Sequence, residues 1–151
     1  MHEKYFEEAR KVATRAMCHR AHCGAVIVKD GEVIGQGYNA PPLQDEAQRM
    51  CNHEDFNLTK KTKSDKTCCV HAEWNAILDA LARNSEKVSG STLYFMRVDD
   101  NGNFTEAGEP YCTVCSRLAL QSGVKFFGLW NKGPQMWDTK EYNLKSYAFF
   151  S

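Results

Sequence analysis

The sequence predicts a single α/β domain, and three observations predict it. Apolar residues recur at helical spacing in some segments and in β-branched and aromatic runs in others, and the two patterns alternate on either side of one long polar stretch. The run at residues 25–28 is almost wholly apolar, as a strand covered on both faces requires. The length suits one hydrophobic core. With 42% hydrophobic and 25% charged residues, no large disordered part is expected.

The elements follow in order. Residues 2–17 place Tyr5, Phe6, Ala9, Val12, Ala13, Ala16 and Met17 at helical spacing, which predicts an amphipathic helix. "CGAVIVKDGEVIGQGYN" predicts a hairpin, because two β-rich runs flank Asp30-Gly31, a dipeptide that suits a type I′ turn. Residues 39–67 are polar, with Pro41-Pro42 and the tract "KKTKSDK". A connection this long is usually functional or mobile. The basic tract could meet a phosphate, but a solvated loop is the favoured reading. Residues 71–84 carry Ala72, Ala76, Ile77, Ala80 and Leu81 on one helical face. "STLYFMRV" predicts a strand, and "DDNGNFTEAGE" a turn-rich excursion. Residues 113–122 predict a helix stopping before Gly123, and 124–130 a further strand. Near the end, "QMW" predicts a short strand. Too few residues precede it for a parallel crossover, so it should run antiparallel to its predecessor. Asp138 and Glu141 have capping-box spacing for a last helix; a strand at "SYAFF" is the alternative.

Charge and cysteine content bound the function. Lys plus Arg and Asp plus Glu are equal at 19 each, so there is no general attraction to nucleic acid or to anionic membrane. The N-terminal stretch is charged and amphipathic, with no secretory h-region, and no run approaches a membrane span. Seven cysteines in such a chain read as thiols or metal ligands rather than a disulfide framework, and the expected compartment is the cytoplasm.

The chemistry concentrates in "CCVHAEWNAIL" and "GEPYCTVCSRLAL". His71 and Glu73 lie two residues apart, about 200° around a helix axis, and converge only if the pair straddles a helix start. Cys112 and Cys115 are i and i+3, which brings both sulfurs to one side of a first turn. Together with His71 they form a three-donor set that suits catalytic zinc, whose fourth position stays open to water. Zinc lowers the pKa of such a water towards ~7. Glu73 need not touch the metal; beside that water it can carry a proton to the substrate. Both halves sit at expected helix N-termini, where the dipole favours thiolates. The bland alternative is a closed structural site, with Cys68 or Cys69 as fourth ligand.

"HAEWNAI" with a downstream Pro and C-x-x-C resembles the cytidine and deoxycytidylate deaminase superfamily. The likeness covers most of the chain, including "GAVIV" and "GYN". It implies one zinc-dependent deaminase domain over residues 1–151, a three-layer αβα sandwich around a mixed sheet of about five strands. It implies that His71, Cys112 and Cys115 hold zinc and that Glu73 shuttles protons. Backbone amides near Ala72 and Cys112 would help fix ring and water. Asn39 in "GYN" matches a residue that contacts substrate in several relatives; a left-handed turn position is the equal alternative. The implied reaction is hydrolytic deamination of a cytosine nucleoside or nucleotide, by a homo-oligomer acting on a small molecule rather than nucleic acid. A guanine-type base, a base in nucleic acid and a non-catalytic zinc module are the alternatives. Tyr111 stands between Pro110 and Cys112, where the family pattern has Pro directly before Cys, so Tyr111 is a candidate pocket wall. The "GxPRG" continuation, with its Arg as a phosphate partner, is missing after "GYN". An antiparallel fifth strand would resemble the free-nucleoside branch, whereas "HAEWNAI" and "GYN" look closer to the deoxycytidylate and guanine group.

A second, structural zinc at Cys51, His53, Cys68 and Cys69, with His19, His22 and Cys23 earlier in the chain, has a counterpart in some of these relatives but is not the favoured reading. Trp74, Trp130 and Trp137 are read as core rather than as stacking platforms for a base.

Overall fold

Asp30 and Gly31 take φ values of +51° and +78°, both positive as a type I′ turn demands. They join β1 (His22–Lys29) to β2 (Glu32–Tyr38), with Lys29 opposite Glu32. In this computed structural model, which describes residues 1–53, 56 and 68–147, the hairpin is preceded by α1 (His2–Ala13). It is followed by α2 (Ala72–Asn84), β3 (Thr92–Val98), β4 (Phe104–Thr105) and α3 (Thr113–Ser122). The chain continues with β5 (Phe126–Trp130), β6 (Pro134–Asp138) and α4 (Thr139–Lys145). The basic tract "KKTKSDK" lies outside the described residues.

The sheet runs β2-β1-β3-β5-β6, with β4 added to the end of β3. It is mixed: β3 and β5 are parallel and the other pairs antiparallel. Strand alternation sorts the core into two halves. Val26, Val28, Tyr94, Met96 and Val98 meet Tyr5, Phe6, Ala9, Val12 and Ala13 of α1 on one face. Ala25, Ile27, Leu93 and Phe127 meet Ala76, Ile77 and Ala80 of α2, Ala119 of α3 and Tyr142 of α4 on the other. The expected three-layer αβα sandwich is therefore present, with a five-strand path and one short addition.

Three details depart from or sharpen the sequence reading. Helix α1 stops at Ala13 rather than Met17. Tertiary hydrogen bonds win over helix spacing there: Met17 N donates to Asn39 O at 2.9 Å, and Arg49 Nη2 donates to Met17 O at 2.6 Å. The excursion after β3 contains β4, which turn residues had masked. Strand β6 is antiparallel to β5 and longer than "QMW", and Asp138 caps α4 by accepting from Lys140 N at 2.9 Å.

Helix α2 is held rigidly on the edge strand. An edge strand leaves outward N–H and C=O groups unpaired. Side chains of α2 satisfy them in turn: Asn75 donates to Tyr38 O, Asp79 accepts from Gln36 N, and Asn84 donates to Ile34 O, all at 2.8–2.9 Å. Gly35 permits this close approach, since a Cβ there would stand 2.6 Å from Ala76 O. Among the described residues no helix is long and apolar enough to cross a membrane.

Candidate active site

His71 is the N-cap of α2 and Cys112 the N-cap of α3, so both halves of the motif stand at helix starts. The segment entering α2 is fixed by the Ala40–Val70 bridge, with Val70 N donating to Ala40 O at 2.8 Å. Helix α3 is fixed to α4 by Ser116 Oγ, which donates to Asn143 Oδ1 at 2.8 Å and lies 3.2 Å from Ser146 Oγ. Two rigid helix ends thus bring residues 41 positions apart in sequence together.

His71 Nδ1 lies 3.1 Å from Cys115 Sγ and 3.5 Å from Cys112 Sγ. All three donor atoms are within 4.8 Å of one another. Tetrahedral zinc, with bonds near 2.3 Å to sulfur and 2.0–2.1 Å to nitrogen, puts S and N about 3.6 Å apart. The donor set fits zinc in both chemistry and spacing. Among the described residues no fourth His, Cys, Asp or Glu joins the group, so neither Cys68 nor Cys69 closes it. The cluster also shapes its own protonation. A hydrogen bond from Cys115, opposed by burial and helped by His71, lowers the Cys112 thiol to about 4. Burial drives the Cys115 thiol well above its ordinary value. Burial alone would lower the His71 imidazole, but the hydrogen bond to Cys112 and the charges of Glu73 and Cys112 outweigh it and raise it.

Glu73 sits in the first turn of α2 and is only 7% exposed. Burial raises its carboxyl pKa, and the nearby His71 offsets part of that rise. A carboxyl raised by burial holds a proton more readily than a solvated one, which suits a proton carrier.

The site opens into a cleft of about 470 Å³, within the usual range for small-molecule pockets. Its walls include His71, Ala72, Glu73, Asn39 and Tyr111, so every residue singled out for substrate contact reaches it. Ala72 lies at the first helical position, where the backbone N–H has no intrahelical acceptor. Tyr111 is 41% exposed and stands at the mouth. Asn39 does not take a positive φ. Its amide accepts from Cys23 N at 2.9 Å and donates to Ala21 O at 2.7 Å, which ties the end of β2 to the start of β1.

Two features escaped the sequence. Trp74 stacks on the His71 ring, centroids 4.4 Å apart and planes within 8°. No spacing rule announces an i, i+3 buttress beneath a ligand. Cys18 is disulfide-bonded to Cys69, against the expectation that every cysteine would be a thiol or a metal ligand. The fold brings their Cα atoms to 6.5 Å, within bridging reach, across 51 residues of sequence. The second metal cluster is not assembled among the described residues. Cys69 is used by that bridge, and Cys68 Sγ accepts from the Met50 and Cys51 amides at 3.1 and 3.4 Å. Trp130 packs on Phe6 and Phe104, and Trp137 on Tyr142, as core residues do.

Three donors suited to zinc with no fourth among the described residues, and a buried carboxyl nearby, fit the hydrolytic metalloenzymes better than structural zinc modules. The comparison of sequences narrows that class. Residues 1–128 match the cytidine and deoxycytidylate deaminase zinc-binding region, and the chain belongs to that family. It is 34% identical to a deoxycytidylate deaminase of Mycobacterium phage D29 over 128 residues, covering 82% of this chain and 88% of the relative. The crystal structure of dCMP deaminase from the cyanophage S-TIM5, in complex with dCMP and dUMP, is 28% identical. It covers 82% of this chain and 76% of that one, with a TM-score of 0.59. A cytidine deaminase from Burkholderia pseudomallei matches 94% of this chain and 95% of its own, with a TM-score of 0.61 at 16% identity, a likeness of fold alone.

Proposed function

We propose that the protein is a zinc-dependent hydrolytic deaminase of a cytosine nucleotide, with deoxycytidylate as its substrate. The observation that carries this reading is Glu73, a buried carboxyl beside a three-donor site that leaves one corner open within a small-molecule cleft. The names of the relatives supply the cytosine nucleotide.

His71, Cys112 and Cys115 would hold the zinc. Bound there, zinc supplies a Lewis acid that makes water nucleophilic at neutral pH. Water adds at the ring carbon bearing the amino group. Glu73 accepts the proton released by water and delivers it to the ring nitrogen. A second transfer through the same carboxyl protonates the amino group, the C–N bond breaks, and the keto base and ammonia leave. Ala72 lines the cleft at the first helical position, and its N–H would donate to a polar atom of the ring. Tyr111 and Asn39 wall the cleft, Asn39 by holding the β1 entry in place. The enzyme acts on the small molecule as a homo-oligomer in the cytoplasm.

A second reading has one observation in its favour. The antiparallel β6 is the arrangement that the family resemblance associates with free nucleosides, which makes cytidine or deoxycytidine the competing substrate. Both readings meet one test: ammonia release from zinc-loaded protein against a panel of bases, nucleosides and nucleotides. Failure of every cytosine compound to release ammonia would end the cytosine reading, and failure of the whole panel the deaminase reading.

A further inference from the structure

The strand that crosses the cleft carries a stripe of residues pointing to the active-site side. Leu93 is fully buried there, Phe95 is half-buried and lines the cleft, and Arg97 follows two residues on. Alternation predicts another apolar residue at that position. Instead the stripe ends on an exposed arginine that lines the same cleft as His71 and Glu73. Arg97 stands directly opposite Cys23 in the β1–β3 ladder, and Cys23 also lines the cleft. Cys23 lies close enough to feel both Glu73 and Arg97: burial pushes its thiol up to about 12, Glu73 adds to that rise, and Arg97 opposes it. The geometry therefore runs from Glu73 through Cys23 to Arg97.

The backbone beneath Arg97 is fixed. The excursion after β3 folds back as β4, pairing Arg97 with Thr105, and Thr105 Oγ1 donates to Arg97 O at 3.1 Å. Asp99 closes the intervening turn by accepting from the Asn101 and Asn103 amides, both at 2.9 Å. A loop would have left this residue to wander, whereas a strand holds it. Among the described residues the Arg97 guanidinium makes no hydrogen bond or ion pair. Among the described residues that line the cleft, Arg97 is a cation held on a strand.

We propose that Arg97 is the specificity-determining cation of this cleft: it pairs with the phosphate of a nucleotide and so selects the 5′-monophosphate over the nucleoside. The proposal rests on the deaminase reading above and names the residue that settles its substrate class. A planar guanidinium offers two parallel N–H donors to phosphate oxygens, geometry that a nucleoside hydroxyl cannot use. Phe95, one pleat inward on the same face, supplies apolar surface between that anion and the metal end.

The test compares wild type with Arg97→Ala and Arg97→Lys in their zinc-loaded forms, with dCMP and deoxycytidine as substrates. A charge-assisted hydrogen bond of ordinary strength predicts that Arg97→Ala lowers kcat/KM for dCMP by about 30-fold, mainly through KM. Deoxycytidine turnover stays unchanged, and Arg97→Lys recovers part of the loss. An equal loss on both substrates, or on neither, overturns the proposal. Calorimetric binding of dUMP and deoxyuridine is read alongside, because it needs no turnover. There the alanine variant should weaken dUMP by a similar factor and leave deoxyuridine alone; unchanged dUMP binding overturns the assignment. If the wild type releases no ammonia from either substrate, the cytosine reading falls, and the binding arm still decides the role of Arg97.

Discussion

Trp74→Ala should loosen zinc without touching a ligand. The indole lies flat on the His71 ring at 4.4 Å, and His71 is the N-cap of α2. A stacked aromatic pair is worth about 1 kcal/mol beyond its buried area. If that energy holds the imidazole in its ligating rotamer, its loss weakens zinc by about 5-fold. Groups that orient a metal-binding histidine typically carry 10–100-fold in affinity, which sets the ceiling. The expected window is therefore about 5- to 100-fold. The assay is competition for zinc against a chromophoric chelator at fixed pH, with thermal unfolding of the metal-free forms run in parallel. Trp74→Phe keeps a ring over His71 and should recover most of the affinity. Zinc binding in Trp74→Ala that matches wild type would refute the buttress, even if unfolding showed the variant to be less stable. Equal weakening in the Phe and Ala variants would also refute it, since a shared loss points to packing volume rather than to the stacked face.

Other consequences follow from the same geometry. Glu73→Gln should keep stoichiometric zinc by elemental analysis and lose about 10²- to 10⁴-fold in kcat, the usual weight of a positioned proton carrier. Wild-type turnover in that variant would remove Glu73 from the reaction. Free zinc at one hundred times its Kd should stabilise the fold by about 2.7 kcal/mol. For a chain of this size that raises the melting temperature by roughly 5–10 °C. Cys112→Ala should abolish the rise, and calorimetric scans with and without chelator measure it. In metal-free protein the Cys112 thiol, lowered to about 4, is thiolate throughout the pH range 6–8, and its fraction falls only as pH drops through about 4. Cys23, pushed up to about 12, stays protonated over that range. Alkylation by iodoacetamide at pH 6, read by peptide mass spectrometry, should therefore mark Cys112 and spare Cys23; the reverse order would contradict the site's electrostatics.

Local signals were legible because each rests on a few adjacent residues. Asp30-Gly31 specified its turn, Gly123 takes a φ of +100° where α3 was expected to stop, and Asp138 caps α4. The metal triad was legible for a related reason. The donors fall at i, i+3 and at a helix cap, so local geometry already aims them. What stayed hidden depends on contacts between distant segments. Helix α1 has residues of helical spacing up to Met17, yet the chain leaves the helix because Asn39 and Arg49 claim the Met17 backbone. The Cys18–Cys69 pairing and the amide bridge made by Asn39 are of the same kind. Arg97 is an intermediate case. Reading "LYFMR" with period two puts Arg97 on the inward stripe, and a charge at an inward position was the available signal.

The excursion at residues 99–109 links these points. Its Asp, Asn and Gly content reads as loop, and a loop before Cys112 would serve only as a tether. With β4 paired to β3, the same residues extend the rigid sheet past its last contact with β5 and carry the strand end to the cleft mouth. The metal end of the cleft is thus built by helix starts, and another part of its wall by a strand. Changes in the strand end can alter which molecule enters while the helix starts keep their spacing. That separation is why an antiparallel β6, set at the far side of the sheet from β1, need not decide between nucleoside and nucleotide. The choice lies with the groups on the cleft wall, and of these Arg97 is both charged and held on a strand.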